Sequence, residues 1–392
     1  MTHILFVDDE PRILQGLRQS LWAKRKVWQM AFVESGVDAL AHLERTQCQA
    51  VVSDMRMPGM DGSELLRRVR IIQPDAFRVV LSGQMDESAA VRAAATAHRF
   101  LAKPCDPALL LSTLTYGVEL QAQLASEGMR ACVGGASELP SPPATARALN
   151  RALEDEFMTL QDITSIVERD AAVAVKVLKL VNSAYFGLGR RVVSIEQAVR
   201  QLGLRSLRSL VMAHALFQEL AGPNAPLLEQ EQARSLMAAQ YARRFRLSSR
   251  ESEVASTAAL LHNVGTLVLM LRAPDAFRSA LEHAAEHHVS MAEAERAVIG
   301  VTHAEVGAYL LRLWGLPEEV VEAVGVHHRP LDELQVLDAG AVVRIVEELA
   351  TGAVSGSHAG ATLPEAALQQ LGVFEVVQAI SQERLAAAPR SV

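Results

Sequence analysis

The sequence predicts an α/β domain followed by an all-α domain: a doubly wound (βα)5 parallel sheet, then a helical bundle. Three observations carry this expectation. Over residues 1–118, short unbroken apolar runs alternate with amphipathic stretches. From 144 to 350, apolar residues recur at three- and four-residue steps with no convincing strand. A chain of 392 residues also exceeds one ordinary domain, and Gly134-Gly135 with Pro140, Pro142 and Pro143 mark a break between the two patterns.

The N-terminal runs are "ILFV" at 4–7, a weaker one at 27–33, "AVV" at 50–52, "VVL" at 79–81 and "FLA" at 100–102. Unbroken apolar strands are buried on both faces, which calls for a parallel sheet covered by helices. The expected domains are 1–120 for this unit, 121–137 for a linker, and 138–350 for the helical unit. A helix from about 105 to 127 is expected to cross the linker as a stalk. Residues 351–392 should form a loop and a C-terminal amphipathic helix, docked on the bundle or on a dimer mate.

Half the residues are hydrophobic and only 4% aromatic, so the cores must be built from Leu, Val, Ile and Ala, a composition that favours helices. A net charge of −7 argues against a large nucleic-acid footprint. Cys48, Cys105 and Cys132 are far apart and match no disulfide frame or zinc knuckle. The start "MTHILFVDDE" lacks the features of a signal peptide, and no run approaches the ~20 apolar residues of a membrane span. A soluble cytoplasmic protein is expected.

Each N-terminal strand runs into a polar residue: Asp8 and Asp9 after the first, then Asp54, Ser82 and Lys103. Ligands of doubly wound sheets bind at the carboxyl ends of the strands, so these side chains should converge. Clustered carboxylates need a cation, and Mg²⁺, a hard ion that takes oxygen ligands, suits them. This constellation, with the loop "DMRMPGMDG", resembles the receiver domain of two-component response regulators. The resemblance implies that Asp54 accepts a phosphoryl group from a sensor histidine kinase. It also implies that Asp8, Asp9, Asp54 and the Arg56 carbonyl hold Mg²⁺. Lys103 and Ser82 would engage the phosphoryl oxygens, with Phe100 as the aromatic switch residue.

The stretch "VLKLVNSAYFG", followed by "SIEQAV" and "LG", looks like the HDOD domain, a helical relative of the HD phosphohydrolases generally regarded as having lost the metal site. Asn182 reads as a cap where a helix ends, with Gly187 and Gly189 opening the turn; it and Tyr185 are expected to serve packing. An HD site needs several His and Asp ligands. Here Arg234 or a neighbour stands where an upstream His is wanted, and "AALLHNVG" offers His262 followed by Asn263 in place of Asp. His303, His327 and His328 resemble the extra histidines of HD-GYP phosphodiesterases, but "RPLDELQ" replaces the glycine-rich segment. The final acid is Asp338, or is lost at Gly340. The expectation is therefore a set of histidines without anionic ligands, and no tightly bound metal in this domain.

Two weaker patterns remain. His283 and His287, with Glu282 and Glu286, are spaced for two ligands on one helical face but read as a solvated helix. Arg205, Arg208, Arg243, Arg244, Arg246 and Arg250 read as wet helix faces. The expected function is a phosphorylation-controlled signalling adaptor, with an HDOD domain that engages an output protein such as a kinase or a cyclic-dinucleotide enzyme, and with homodimerisation as an option. The alternatives are a metal-dependent cyclic di-GMP phosphodiesterase and a DNA-binding transcription regulator.

Overall fold

The computed structural model describes residues 2–83, 96–122, 127–133, 139, 143–155, 157–182, 191–212, 225–354 and 363–387. Five strands, β1 (Thr2–Val7), β2 (Trp28–Val33), β3 (Ala50–Asp54), β4 (Phe77–Ser82) and β5 (Arg99–Ala102), form one sheet in the order β2-β1-β3-β4-β5. All pairings are parallel. Every residue of β3 and β4 is buried, as their unbroken apolar runs require. The register pairs Val7 with Ser53, Asp54 with Leu81 and Ser82 with Ala102. The polar residues that follow the strands therefore share one edge.

After β5 the chain is helical among the described residues. The expected stalk does not stand free. Pro107–Ala122 covers the sheet, with Gly117 so close to the Phe77 ring that a Cβ would lie 2.2 Å from Phe77 Cδ1. Glu127–Val133 then packs on the helices Val264–Arg272 and His303–Trp314. Apolar burial wins here: Cys132 and Val133 are almost fully enclosed, which a solvated stalk would not allow. At the C-terminus, Phe374–Ala387 packs on Ala339–Val354, and Glu383 pairs with Arg244. Docking on the bundle is thus the observed arrangement. The stretch Ser249–Arg272 is long and apolar enough to cross a membrane, contrary to expectation, but 89% of its 18-residue apolar window is buried inside the protein.

The two units meet where β5 faces the end of His303–Trp314. Arg99 donates to the Arg312 carbonyl at 2.8 Å and also to the Leu313 carbonyl. Carbonyls at a helix C-terminus have no intrahelical partner and carry partial negative charge, so a guanidinium both satisfies and neutralises them. Gly315 ends the helix at φ 83°, and a Cβ there would lie 2.6 Å from Arg99. Arg191 donates to Gly315 and Leu316 carbonyls, both at 3.0 Å, and Lys179 donates to Ala97 O at 2.7 Å.

On β4 itself sits a fully buried cation. Arg78 donates to the carbonyls of Thr96, Pro74 and Ala76, and its guanidinium lies 2.7 Å from His98 Nε2. Burial, and then the charges of Arg78, Lys179 and Arg99, hold His98 well below the ordinary imidazole value. The folded chain therefore keeps His98 neutral, and its contribution is present above about pH 6.5 and lost as pH falls. Between pH 7.5 and 5.5 this residue should cost about 1.4 kcal/mol of folding free energy. Urea denaturation of wild type and His98→Gln at the two pH values checks this: the variant should lose less stability on acidification by that amount.

Candidate functional site

The first constellation lies at the carboxyl edge of the sheet. Asp8 and Asp54 are buried, Asp9 is exposed at the rim, and Lys103 follows β5. The Lys103 ammonium lies 2.6 Å from Asp8 Oδ2 and bonds Asp54 Oδ1 as well. The other Asp54 oxygen accepts from the Arg56 amide at 2.7 Å, and Asp8 Oδ1 accepts from the Glu10 amide at 3.0 Å. Burial raises the Asp54 carboxyl against the pull of Lys103. Burial likewise opposes the ammonium, but its bonds to Asp54 and Asp8 outweigh this and hold Lys103 above the ordinary lysine value. The loop after Asp54 is shaped by two residues. Asp61 caps the helix Gly62–Ile72 by accepting from Glu64 N, and a Cβ on Gly62 would lie 2.1 Å from Asp54 O. Ser82 ends β4, its carbonyl accepting from Lys103 N at 2.6 Å, and Phe100 is buried in β5.

The second constellation is built by helix ends. His303 opens the helix His303–Trp314 behind a Thr302–Glu305 capping box. His327 and His328 follow the helix Glu318–Gly325, and Glu347 projects from Ala339–Val354. One ligand atom from each of these four residues lies within 4.8 Å of all the others. His303 donates from Nδ1 to Glu295 Oε2 (2.7 Å), His327 from Nδ1 to the Val324 carbonyl (2.5 Å), and His262 from Nδ1 to the Ala259 carbonyl (2.6 Å). Burial pushes His262 down to about 3, His328 down to about 2 and Glu347 up to about 7. On His303 burial opposes charge, yet the Glu295 carboxylate prevails and raises it.

Two glycines bring these helices together. A Cβ on Gly265 would lie 1.9 Å from His303 O, and one on Gly307 would lie 3.2 Å from Gly265 N. Only the absence of side chains lets Val264–Arg272 cross His303–Trp314 at that distance.

Family models match twice: "Response regulator receiver domain" over residues 4–115 and "HDOD domain" over residues 139–330. The chain is a receiver–HDOD protein. An uncharacterised protein of Treponema pallidum is 31% identical over 196 residues, covering 49% of this chain and 38% of that one. The C4-dicarboxylate transport transcriptional regulatory protein DctD of Pseudomonas aeruginosa is 36% identical over 126 residues, 31% of this chain and 26% of its own length. The receiver–HDOD chain thus spans well under half the length of these relatives. A solved virulence factor of Campylobacter jejuni shares the fold, with a TM-score of 0.52 at 17% identity over 67% of this chain and 98% of its own.

Several expectations for the receiver–HDOD protein need correction or placing. The surviving histidines are not without carboxylates: Glu347 joins them, Glu295 holds His303, and Glu231 lies alongside, accepting from Asn263 Nδ2 at 2.9 Å. Arg234 does sit where a ligand was wanted, paired with Glu231 at 3.1 Å. Glu295 and Glu347 carried only an incomplete signal, an acid among apolar helical neighbours that names no partner; Glu347, for example, follows the buried Val346. Asp338 instead caps the helix Ala339–Val354 by accepting from Ala341 N. Asn182 ends the helix Ala171–Val181, bonding Leu178 and Val192 carbonyls and the Val192 amide.

His283 and His287 stack on each other on the helix Pro274–His287, away from the cluster. Arg243, Arg244 and Arg250 each pair with a glutamate, and Arg246 is exposed. Tyr185, Gly187, Gly189, the Gly134-Gly135 break and the Arg205 and Arg208 side chains lie outside the described residues. Gly265→Ala should lower the unfolding free energy by about 2–3 kcal/mol, since the crossing helices must separate. Gly16→Ala, a helical site with nothing within 4 Å, should be neutral or slightly stabilising in the same urea titrations.

Proposed function

We propose that this protein is a phosphorylation-controlled signalling adaptor. A receiver joined to an HDOD domain, a non-catalytic relative of HD enzymes, belongs to response-regulator signalling. One observation supports the finer reading best: Lys103, which bonds both Asp8 and Asp54, follows the strand whose Arg99 grips the HDOD helix.

In this reading a sensor histidine kinase donates its phosphoryl group to Asp54. The phosphorus–nitrogen bond of the kinase breaks as a bond to the Asp54 carboxylate forms. The donors around it are all oxygens, which fits a hard divalent cation: Asp8, Asp9, Asp54 and the Arg56 carbonyl would hold Mg²⁺. Bound there, Mg²⁺ neutralises charge on the phosphoryl oxygens. Lys103 supplies a fixed ammonium to the same oxygens, and the Ser82 hydroxyl donates a hydrogen bond. Phosphorylation adds about −1.5 to −2 units of charge and three acceptors. Lys103 must then divide its bonds differently, and β5, with Phe100 and Arg99 on it, shifts. The HDOD domain passes the change to an output protein through its surface, in the cytoplasm where the kinase phosphorylates.

Hydrogen exchange with beryllofluoride and Mg²⁺ as a phosphoryl mimic tests the reading. Amides at 312–316 should exchange roughly 5–30-fold faster, as expected for about 1–2 kcal/mol of clamp loosening. Asp54→Asn should remove the response, and Arg99→Ala should produce faster exchange without the mimic. Exchange that ignores the mimic in wild type would show that the receiver does not signal through this contact.

A further inference from the structure

We propose that His303, His327, His328 and Glu347 form a binding site for one divalent transition-metal ion of the Zn²⁺ class, distinct from the receiver's acidic pocket. The Nδ1–H groups of His303, His327 and His262 are committed to a carboxylate and two carbonyls, so Nε2 is the lone-pair nitrogen of each neutral ring. Yet the Nε2 atoms of His327 and His328 lie 3.3 and 2.8 Å from His303 Nε2. A proton on His303 Nε2, which the ring carries only as imidazolium, could point at only one of them. A cation among them satisfies all three together.

The geometry is close to what such an ion needs. With bonds of ~2.0–2.1 Å, a tetrahedral ion places its donors about 3.3 Å apart. The four donors already lie within 4.8 Å of one another, so small side-chain movements complete the site. The fourth donor is Glu347: its Oε2 is buried, makes no hydrogen bond and lies 3.8 Å from His328 Nδ1, and His262 Nε2 likewise makes no hydrogen bond. Metal-binding imidazoles generally donate their other N–H to a carboxylate or carbonyl, and His303 on Glu295 and His327 on Val324 O are held in that way. Three nitrogens and one carboxylate select a transition metal over Mg²⁺ or Ca²⁺.

Access comes through a cleft of about 880 Å³, whose walls include His303, His328, Glu347, Arg234 and Arg344. Binding would release the proton that Glu295 helps His303 to hold. Four protein donors leave no open position for an activated water, which makes the ion a tie between three segments of the bundle rather than a hydrolytic centre.

The test uses the full chain, stripped with chelator and titrated with Co²⁺ in excess Mg²⁺, then displaced by Zn²⁺. Wild type should bind a single equivalent with the intense visible bands of a low-coordinate site. His328→Ala and Glu347→Gln should each weaken binding at least about tenfold while retaining wild-type circular dichroism, and Glu295→Gln, which acts through His303, should weaken it about tenfold. Asp54→Asn should leave it unchanged. Absence of tight Co²⁺ binding in wild type would overturn the proposal in favour of a proton shared among the histidines. So would affinity unaffected by both ligand substitutions, or binding that disappears in Asp54→Asn. None of these outcomes bears on signalling through Asp54, which the mimic experiment reads separately.

Discussion

Arg99 holds the C-terminal carbonyls of His303–Trp314, and the rest of the molecule's organisation depends on that contact. A helix is a stiff rod with unsatisfied groups at both ends. Here one end is capped by the receiver and the other begins at His303, inside the buried cluster. Its middle is fixed by Gly307 against Gly265, a crossing with no room for a side chain. The two chemical centres therefore share one helix.

The two centres handle buried charge in opposite ways. In the receiver, carboxylates outnumber the single ammonium, and a fixed cation bridges two of them at the mouth of the sheet. That arrangement leaves net negative charge at the mouth of the sheet. In the helical domain the cluster is enclosed, and burial drives most histidines to the neutral form. Only His303, against Glu295, keeps a raised affinity for a proton. A neutral nitrogen-rich pocket beside a buried carboxylate is the kind of environment that discriminates between cations by softness rather than by charge.

How much of this could be read from the sequence follows from which forces act locally. The parallel sheet was legible because burial on both faces leaves unbroken apolar runs, and the strand-end residues were legible because topology alone puts them on one edge. The bundle was legible from its helical period. Glu231, Glu295 and Glu347 were not, because a buried acid is recognisable only once its cluster partner is known; Glu295 meets His303 8 residues on, and Glu231 meets Asn263 32 residues on. The docking of Glu127–Val133 was hidden for a related reason. A short segment just ahead of a glycine pair and a proline cluster reads as a linker until another unit covers its apolar side. Gly265 and Gly307 looked like ordinary helical glycines, and only the crossing of two helices gives them meaning.

The doublet His262-Asn263 shows what the fold has done with an arrangement that resembles a metal-binding pair. Asn263 turns its amide hydrogen, not its oxygen, toward Glu231, and that carboxylate is also paired with Arg234. An amide hydrogen facing a carboxylate cannot coincide with a cation between the two groups, so Asn263 and Glu231 are mutually satisfied and removed from any ligand set. Burial raises Glu231, and the Arg234 charge counters it. Putting Asp at 263 would set two carboxylates face to face with one guanidinium between them. That pair would compete for Arg234 or for a proton long before it recruited a metal. The substitution of one amide for one acid is therefore matched by its surroundings, although Asn263 and Glu231 line the same cleft as His303, His328 and Glu347.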